Sequence, residues 1–319
     1  MSTRELPQPA AVTRILCPVD LGELSVRTLA YAGEIARWYG CELTALHVVP
    51  AFEPAEVPPG RLFDPVKFVY PMTGDEIEEE LRRAAHAAAV NADRVCVAAR
   101  SGDPSRVIVE QAVAAHADLL VVSTHGRSGW NRLVLGSVAE TVLRTAPCPV
   151  FTVPPHAPEM PSRVAVDTVL CAVDFSPASL RAVGFAVDVA RRAAATLTLL
   201  EVVEWLAEEE PRTIAHFSVP EARACLMNDE RARLETLVAE QPPVGRGAAT
   251  RVAAGRAYRQ ILQAASETGA DLIVMGAQGR GGTPLASLGS TTHQVVRGAT
   301  CPVLTVPVPA AGAVADHRR

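Results

Sequence analysis

The stretch ILCPVDLGELSVRTLAYAGEIA, residues 15–36, combines an apolar run that ends at Asp20 with a following segment of helical spacing. A second stretch, VLCAVDFSPASLRAVGFAVDVA at 169–190, repeats the same order of apolar, acidic and small residues, so that Asp20 corresponds to Asp174, 154 positions later. A strand followed by a helix therefore occurs twice, and the chain has to be compared with itself before any element is assigned.

Three further segments of the first half recur in the second half at nearly the same offset. CELTALHVV at 41–49 matches ATLTLLEVV at 195–203, GDPSRVIVEQAVAAHADLLVV at 102–122 matches GRAYRQILQAASETGADLIVM at 255–275, and APCPVFTVP at 146–154 matches ATCPVLTVP at 299–307. The repeat covers each half from end to end, which indicates a tandem duplication. We expect two domains, residues 1–156 and 164–308, joined by the proline-rich linker VPPHAPEMPSR at 153–163.

The order of elements predicts the fold class. In the first half, apolar runs predict strands near residues 13–19, 42–49, 94–99, 118–123 and 149–153. These runs are continuous rather than alternating, as in parallel sheets covered on both faces. Ser176-Pro177 and Asp103-Pro104 are helix-start signals, and residues 75–94 form an alanine-rich segment with an acidic beginning. We predict an α/β protein with two tandem doubly wound domains, each a five-stranded parallel sheet of order 3-2-1-4-5 flanked by helices.

Composition excludes several classes of function. A net charge of −5 gives no basic surface for nucleic acid, and 4% aromatic residues leave few stacking platforms for single strands. We therefore expect no nucleic-acid partner. No apolar run reaches the length of a membrane span, and the first residues lack a signal-peptide core, so we expect a soluble, cytoplasmic protein without a membrane partner.

The seven cysteines have no metal-ligand spacing, and we expect the four in strand-like runs, Cys96 among them, to be small buried residues.

The two glycine-rich segments, VSTHGRSGWNRLVLGSVA at 122–139 and VMGAQGRGGTPLASLGST at 274–291, carry the strongest functional signal. Lys67 is the only lysine of the chain, which excludes a Walker-type loop in either segment. Two glycines three positions apart allow the backbone to approach a ligand, and a Gly-Ser pair nine residues later stands where a helix begins. Free amides, a hydroxyl and the helix dipole form an anion site there without lysine.

The carboxylates at the ends of the first strands are expected beside these segments, because ligands of open parallel sheets bind at the carboxyl ends of the strands. Asp174 can take a ribose hydroxyl or a metal bound to phosphates. His47 and Glu201 hold equivalent positions at the ends of the second strands, which we interpret as a tolerated rim position. His125 is interpreted as a polar loop contact, and Arg280 either faces phosphates or is exposed.

These residues resemble the universal stress protein family in its tandem two-domain form, over nearly the whole chain. The resemblance rests on CPVD and CAVD at the first-strand ends and on the spacing G-2x-G-9x-G-S/T. It implies binding of ATP or a related adenine nucleotide and pairing of the domains through their fifth strands. Our own expectation is that any Mg²⁺ is held through the phosphates. The implied binding residues are Pro18, Val19, Asp20, Val48, Ser123, Gly126, Arg127, Gly129, Gly136 and Ser137 in the first half, and Ala172, Val173, Asp174, Val202, Gly276, Gly279, Arg280, Gly282, Gly289 and Ser290 in the second.

One residue departs from the family's spacing. Ser123 stands where the first glycine belongs. If that position has a left-handed backbone, serine costs about 1–2 kcal/mol; if the backbone is extended, serine costs little. We therefore expect the second domain to bind nucleotide at least as tightly as the first.

Three functions remain open. The first is a nucleotide-binding stress or regulatory protein with little or no turnover. The second is an ATP-hydrolysing or adenylate-forming enzyme, which the lack of a nucleophile–base pair disfavours. The third is an adaptor with vestigial pockets and an unknown protein partner. The duplication predicts an intramolecular pseudo-dimer and leaves a further homodimer open.

Overall fold

The computed structural model describes residues 11–50, 72–90, 95–125, 135–157, 166–204, 219–244, 246–280 and 288–308. Residues 51–71, 205–218 and 309–319 and most of the predicted linker lie outside these ranges.

Strands and helices alternate through the first half, as the sequence predicts. The elements are β1 (Arg14–Pro18), α1 (Ser25–Tyr39), β2 (Glu42–Pro50), α2 (Gly74–Ala87), β3 (Val95–Gly102), α3 (Pro104–Ala114), β4 (Leu119–Ser123), α4 (Ser137–Thr145) and β5 (Val150–Val153). β1 pairs in parallel with both β2 and β4, and β2 pairs in parallel with β3, so these strands lie in the order 3-2-1-4.

The second half repeats the alternation. Its elements are β6 (Thr168–Val173), α5 (Pro177–Ala193), β7 (Thr196–Val203), α6 (Val219–Ala239), β8 (Ala248–Ala254), α7 (Ala257–Thr268), β9 (Leu272–Gly276), α8 (Ser290–Gly298) and β10 (Val303–Val306). All neighbouring pairs among β8, β7, β6, β9 and β10 are parallel, which confirms the predicted order 3-2-1-4-5. β6 and β9, at the centre, are almost entirely buried because helices cover both faces.

The chain divides into two compact units, and β5 belongs to the second of them. One unit holds the described residues between 12 and 148, and the other holds those from 149 onward. In the second unit β5 pairs antiparallel with β10, with Phe151 opposite Leu304. The fifth strands therefore pair as the family resemblance implies, and this sheet is mostly rather than wholly parallel.

Buried threonines complete the pairing of β5 with β10. Thr152 donates its hydroxyl to the carbonyl oxygen of Val303 at 3.0 Å, and Thr305 donates to that of Val150 at 3.2 Å. Both side chains are buried, and a buried hydroxyl without an acceptor would be costly. The two strands are thus joined by side-chain as well as ladder hydrogen bonds.

The helix-start signals read from the sequence are confirmed. The Ser176 hydroxyl accepts a hydrogen bond from the Ser179 amide at 3.3 Å, and the Asp103 carboxylate accepts one from the Arg106 amide at 2.8 Å. The acidic segment predicted at 75–94 is α2, which begins at a capping box between Thr73 and Glu76 but ends at Ala87.

The prediction that Cys96 is buried is wrong. It is exposed on β3, which pairs on one side with β2 and carries several exposed residues. Its strand-like neighbours gave an apolar run, but a strand near the edge of a sheet keeps one row of side chains in solvent. Cys148 and Cys301 are buried as small apolar residues, and burial raises the pKa of both thiols to about 12, so neither forms a thiolate near neutrality.

Replacing Asp103 tests the cap of α3. Asp103→Ala is expected to lower the free energy of unfolding by about 1 kcal/mol, because the Arg106 amide loses its acceptor. Asp103→Asn keeps an acceptor and is the matched control, expected to lose much less. Chemical denaturation at pH 7 makes the comparison.

The same carboxylate predicts a pH dependence. Hydrogen bonds from Ser105 and from the Arg106 amide lower the pKa of Asp103, so its stabilisation is present above the pKa of the unfolded chain and is lost as pH falls through the lower, folded value. The difference between wild type and Asp103→Ala should therefore shrink below about pH 4. A difference that stays constant down to pH 2 would contradict the assignment.

Candidate functional site

The first half contains a cleft of about 340 Å³ at the carboxyl ends of β1, β2 and β4. Its walls combine apolar side chains, one carboxylate and the beginning of α4. The lining residues are Pro18, Val19, Asp20, His47, Val48, Pro50, Pro104, Ile108, Val122, Ser123, Thr124, His125, Gly136, Ser137, Val138 and Ala139. Every first-half residue that the sequence assigned to binding and that the structure describes lines this cleft; Gly126, Arg127 and Gly129 lie outside the described residues.

The floor of the cleft is the end of β1. Asp20 is half-buried, and its Oδ1 accepts hydrogen bonds from the Gly22 amide at 2.9 Å and from the Ser25 hydroxyl at 3.2 Å. These two contacts come from the turn that leads into α1, and they fix the carboxylate beside the cleft. The carboxylate is therefore held in place by its own half of the chain.

The beginning of α4 supplies the polar wall. Gly136 precedes the helix with an extended backbone (φ −62°, ψ 140°), and as a glycine it has no side chain that could cap the first turn. Its amide donates to the Thr124 carbonyl oxygen at 2.8 Å, which fixes the start of the helix against the end of β4. The amides of the first turn, together with the exposed Ser137 hydroxyl, form a site of positive potential.

The second half repeats this frame. Gly289 precedes α8 with φ −61° and ψ 145°, and its amide donates to the Ala277 carbonyl oxygen at 2.8 Å. Thr292, in the first turn, donates to the Gly276 carbonyl oxygen at 2.9 Å, and Ser290 is exposed at the start of the helix. Ala172 and Val173 form the buried end of β6, Val202 is half-buried near the end of β7, and Gly282 lies outside the described residues.

Close packing, and not a left-handed backbone, explains why the second glycine-rich segment needs a glycine at its first motif position, Gly276. Gly276 is the last residue of β9 and is not among the described residues with positive φ. A Cβ there would lie 2.9 Å from the Ala178 Cβ and 2.9 Å from the Ser179 amide nitrogen. The end of β9 therefore packs on the first turn of α5 too tightly for any side chain.

Ser123 occupies the equivalent place in the first half without that constraint. Its hydroxyl donates to the His125 carbonyl oxygen at 2.9 Å. The neighbouring helix also begins later: α1 begins at Ser25, whereas α5 begins at Pro177, which corresponds to residue 23. Of the two alternatives weighed from the sequence, the extended backbone holds, so Ser123 is no reason to rank the first half as the weaker site.

Asp174 and Gly279 are brought into contact. A Cβ on Gly279 would lie 2.8 Å from Asp174 Oδ2, so only glycine leaves this carboxylate in place. Asp174 Oδ1 accepts from the Ser176 amide and Oδ2 from the Arg280 amide, both at 3.0 Å. Burial acts to raise the pKa of Asp174, but these hydrogen bonds, with one from Ser179, outweigh it and leave the pKa below its usual value.

The Arg280 side chain turns inward. Its Nε donates to the Asp174 carbonyl oxygen, and its Nη2 donates to Glu201 Oε1 at 2.9 Å. Glu201 is buried, with only 3% of its surface exposed, and burial together with the nearby Glu230 carboxyl raises its pKa to about 7 although Arg280 acts to lower it. Arg280 thus stabilises the ionised form of a buried acid.

The interpretation of His47 and Glu201 as rim positions is wrong. His47 is also 3% exposed, and its Nδ1 lies 2.8 Å from the Val19 carbonyl oxygen, so that nitrogen carries the proton. The local sequence does not show whether a polar residue at the end of an apolar strand is buried, because its burial depends on contacts with distant segments.

His125, interpreted from the sequence as a polar loop contact, lines the cleft, and its Nδ1 lies 2.9 Å from the Thr124 hydroxyl.

Comparison with known proteins identifies the family. The family model described as "Universal stress protein family" matches residues 11–154 and again residues 165–307. The chain belongs to the universal stress protein family. The model matches once in each half, so the duplication seen in the sequence is the tandem two-domain form of the family.

Relatives of similar length exist in mycobacteria. A universal stress protein of Mycobacterium tuberculosis is 29% identical over 282 residues, which is 82% of this chain and 86% of the relative. One of Mycolicibacterium smegmatis is 27% identical over 311 residues, covering 94% of this chain and 98% of the relative. The crystal structure of a universal stress protein from Archaeoglobus fulgidus DSM 4304 has a TM-score of 0.65 at 24% identity and covers 93% of this chain and 97% of that one, which shows a shared fold.

Replacing Gly276 tests the close packing of β9 on α5. Gly276→Ala is expected to destabilise the second half by about 1–3 kcal/mol, because backbone atoms must move to admit the methyl group. Gly74→Ala is the matched control: nothing lies within 4 Å of a Cβ there, and alanine favours the helix. Thermal unfolding of both variants makes the test, and an unchanged midpoint for Gly276→Ala would overturn the packing argument.

Proposed function

We propose that the chain binds an adenine nucleotide, ATP, at the carboxyl edge of the sheet in each half, and that it acts as a regulatory stress protein with little or no turnover. The domains responsible are residues 1–156 and 164–308. The observation that carries the proposal is the start of α4 after Gly136, which lines the same cleft as the Asp20 carboxylate and an apolar wall.

The cleft offers separate surroundings for the parts of a nucleotide. Val48, Ile108 and Val122 supply an apolar wall for a base, and Asp20 supplies an acceptor for ribose hydroxyls. The first-turn amides of α4 and the Ser137 hydroxyl suit phosphates, which need donors and positive potential rather than a lysine. A volume of about 340 Å³ falls within the usual range for small-molecule sites.

Mg²⁺ would accompany the phosphates rather than occupy a site of its own. Among the described residues no group of three or more His, Cys, Asp or Glu is arranged to hold a metal. Mg²⁺ is commonly held by one or two carboxylates together with substrate phosphates and water. Asp20 is the carboxylate of the cleft that can take this role.

Two alternatives predict different results from the same preparations. An ATP-hydrolysing enzyme would release phosphate in the steady state at about 1 s⁻¹ or faster. An adaptor with vestigial pockets would release no nucleotide on denaturation and would gain no stability from ATP. None of the helices in the described ranges is long and apolar enough to cross a membrane.

Replacing the helix-start glycines tests nucleotide binding. Gly136→Asp places a carboxylate at the start of α4, where it caps the free amides and repels phosphates. We expect the wild type to gain about 2.7 kcal/mol at an ATP concentration 100 times its Kd and the variant to gain much less from the first half. Differential scanning calorimetry with and without ATP measures the gain.

Aspartate is a favourable residue before a helix, but its Cβ would lie 3.2 Å from the Thr124 carbonyl oxygen, so the melting midpoint without ATP and the circular dichroism spectrum of the variant serve as the control for its fold. Gly289→Asp does the same at α8 and reports on the second half. A wild-type chain that neither releases nucleotide on denaturation nor is stabilised by ATP would contradict the proposed function.

A further inference from the structure

Arg280 is fastened at three points to the ends of two neighbouring strands. Its amide donates to Asp174 Oδ2 at 3.0 Å, its Nε donates to the Asp174 carbonyl oxygen, and its Nη2 donates to Glu201 Oε1 at 2.9 Å. Asp174 directly follows β6, and Glu201 lies on β7 opposite Val173. Both the backbone and the side chain of Arg280 therefore tie the segment that follows β9 to the carboxyl edge of the sheet.

Glu201 is the fixed partner in this contact. It is in register with Val173 on β6 and with Val252 on β8, and only 3% of its surface is exposed. The side chain of Arg280 is 56% exposed, and the residue lies beyond the end of β9. Because the strands on both sides hold Glu201, the position of its carboxylate determines where the guanidinium lies.

Net stability does not account for a carboxylate at this position. Burial and the nearby Glu230 carboxyl on α6 raise the pKa of Glu201, which shows that its surroundings disfavour the charge. A buried ion pair gains little more from attraction than it loses on leaving water, and well-packed apolar side chains are often as stable. What the acid adds is a defined position for its partner.

The tied segment connects the two parts of the candidate site. Gly279 precedes Arg280 and lies so close to Asp174 that a Cβ would be 2.8 Å from Oδ2. Two residues earlier, the Ala277 carbonyl oxygen accepts a hydrogen bond from the Gly289 amide at 2.8 Å. This segment therefore runs from the start of α8, which suits phosphates, to the carboxylate that suits a ribose hydroxyl.

The guanidinium lies on the β7 side of this site. β6 lies between β7 and β9, since it pairs in parallel with both. Glu201 belongs to β7, whereas α8 follows β9 on the other side of β6. The side chain of Arg280 is therefore directed to the acid and not to the start of α8.

We propose that Arg280 and Glu201 are positioning residues for the nucleotide site of the second half. Glu201 fixes the guanidinium, and Arg280 in turn holds the segment after β9 against Asp174 in the arrangement that receives ribose and phosphates. Neither side chain needs to touch the nucleotide. This role rests on the proposed function, and it differs from that of a phosphate-binding arginine, which would recognise the charge of the ligand directly.

The test isolates the second half within the full-length chain. Asp20→Ala and Gly136→Asp together remove the ribose acceptor and repel phosphates in the first half. In this background, binding of adenosine and of ATP is measured by isothermal titration calorimetry at about pH 8, where Glu201 is ionised. Arg280→Ala is expected to lower the affinity for both ligands by the same factor, about tenfold, whereas the loss of a phosphate contact would weaken ATP binding alone.

Substitutions of Glu201 separate positioning from stability. Glu201→Leu removes the carboxylate but keeps a buried side chain, and the half-exposed arginine can turn to water. We expect adenosine affinity to fall about tenfold while the thermal midpoint without ligand stays the same or rises. Glu201→Gln keeps an acceptor for Arg280 Nη2 and should retain most of the affinity. Added to Arg280→Ala, Glu201→Leu should cause no further loss, because both substitutions act through one contact.

The same contact predicts a pH dependence of adenosine binding. Glu201 faces Glu230 from α6 and Arg280 from the segment after β9, while Arg233 pairs with Glu230 and Asp174 lies beside Arg280. The pKa of Glu201 is raised to about 7, and its protonation weakens the hold on Arg280. Adenosine affinity should therefore fall as the pH falls from about 8 to about 6, and Glu201→Leu should remove this dependence.

A second arginine–glutamate pair of the same half provides the matched control. Arg251 pairs with Glu267 at 2.6 Å near the C-terminal end of α7, away from the carboxyl edge of the sheet. Arg251→Ala should leave the affinity for both ligands unchanged. Circular dichroism verifies that each variant is folded.

The outcomes separate this role from the proposed function. A loss confined to ATP in Arg280→Ala makes the arginine a phosphate contact, and full adenosine affinity in Glu201→Leu makes it independent of the acid. Either result overturns the positioning role and leaves the proposed function standing. Affinity and thermal midpoint that fall together in both Glu201 variants indicate a structural role only, and a background chain that binds neither ligand has no second site to position; both results overturn the role as well. If the wild-type chain binds neither ligand, the proposed function fails and this role fails with it.

Discussion

The parallel pairing of the first and fourth strands in each half determines where the features of the clefts lie. β1 pairs with β4 and β6 with β9, so the aspartate that ends each first strand comes to the same edge as the loop that follows each fourth strand. The pairs are also held at their opposite ends, where Asp118 and Asp271 accept hydrogen bonds from the backbone that precedes the first strands. With both ends fixed, the residues that directly follow each fourth strand begin at the same edge of the sheet as these aspartates.

Much of this arrangement could be predicted from the sequence, because it depends on patterns that are local or repeated. Continuous apolar runs predicted the parallel strands, the 154-residue repeat predicted the two copies, and Asp103 and Ser176 marked helix starts that the structure confirms. The predicted strand order followed from requiring the first and fourth strands to share a site. These inferences needed no knowledge of how distant side chains pack.

The sequence could not reveal features that depend on distant contacts. Glu201 and Arg280 are 79 positions apart, and nothing near either residue indicates that one buries the other. The reason for Gly276 is similar, because the atoms that exclude a side chain belong to the start of α5, nearly a hundred residues earlier. The burial of His47 and the exposure of Cys96 were wrongly predicted for the same reason: an apolar run shows that a strand exists but not which of its residues the rest of the chain covers.

The duplication has preserved the backbone frame of the cleft more strictly than its side chains. Gly136 and Gly289 precede their helices with nearly the same dihedral angles and donate to equivalent carbonyl oxygens at 2.8 Å. The equivalent residues near the end of the second strand are meanwhile an imidazole, His47, in one half and a carboxyl group, Glu201, in the other. The same backbone frame therefore accommodates buried side chains of different chemistry in the two halves.

A crystal structure of the full chain, grown with a non-hydrolysable ATP analogue at a concentration well above its Kd, tests this account most directly. The account predicts nucleotide density against Asp20 and the start of α4 in the first half, and against Asp174 and the start of α8 in the second. Clefts without nucleotide density in both halves would contradict it.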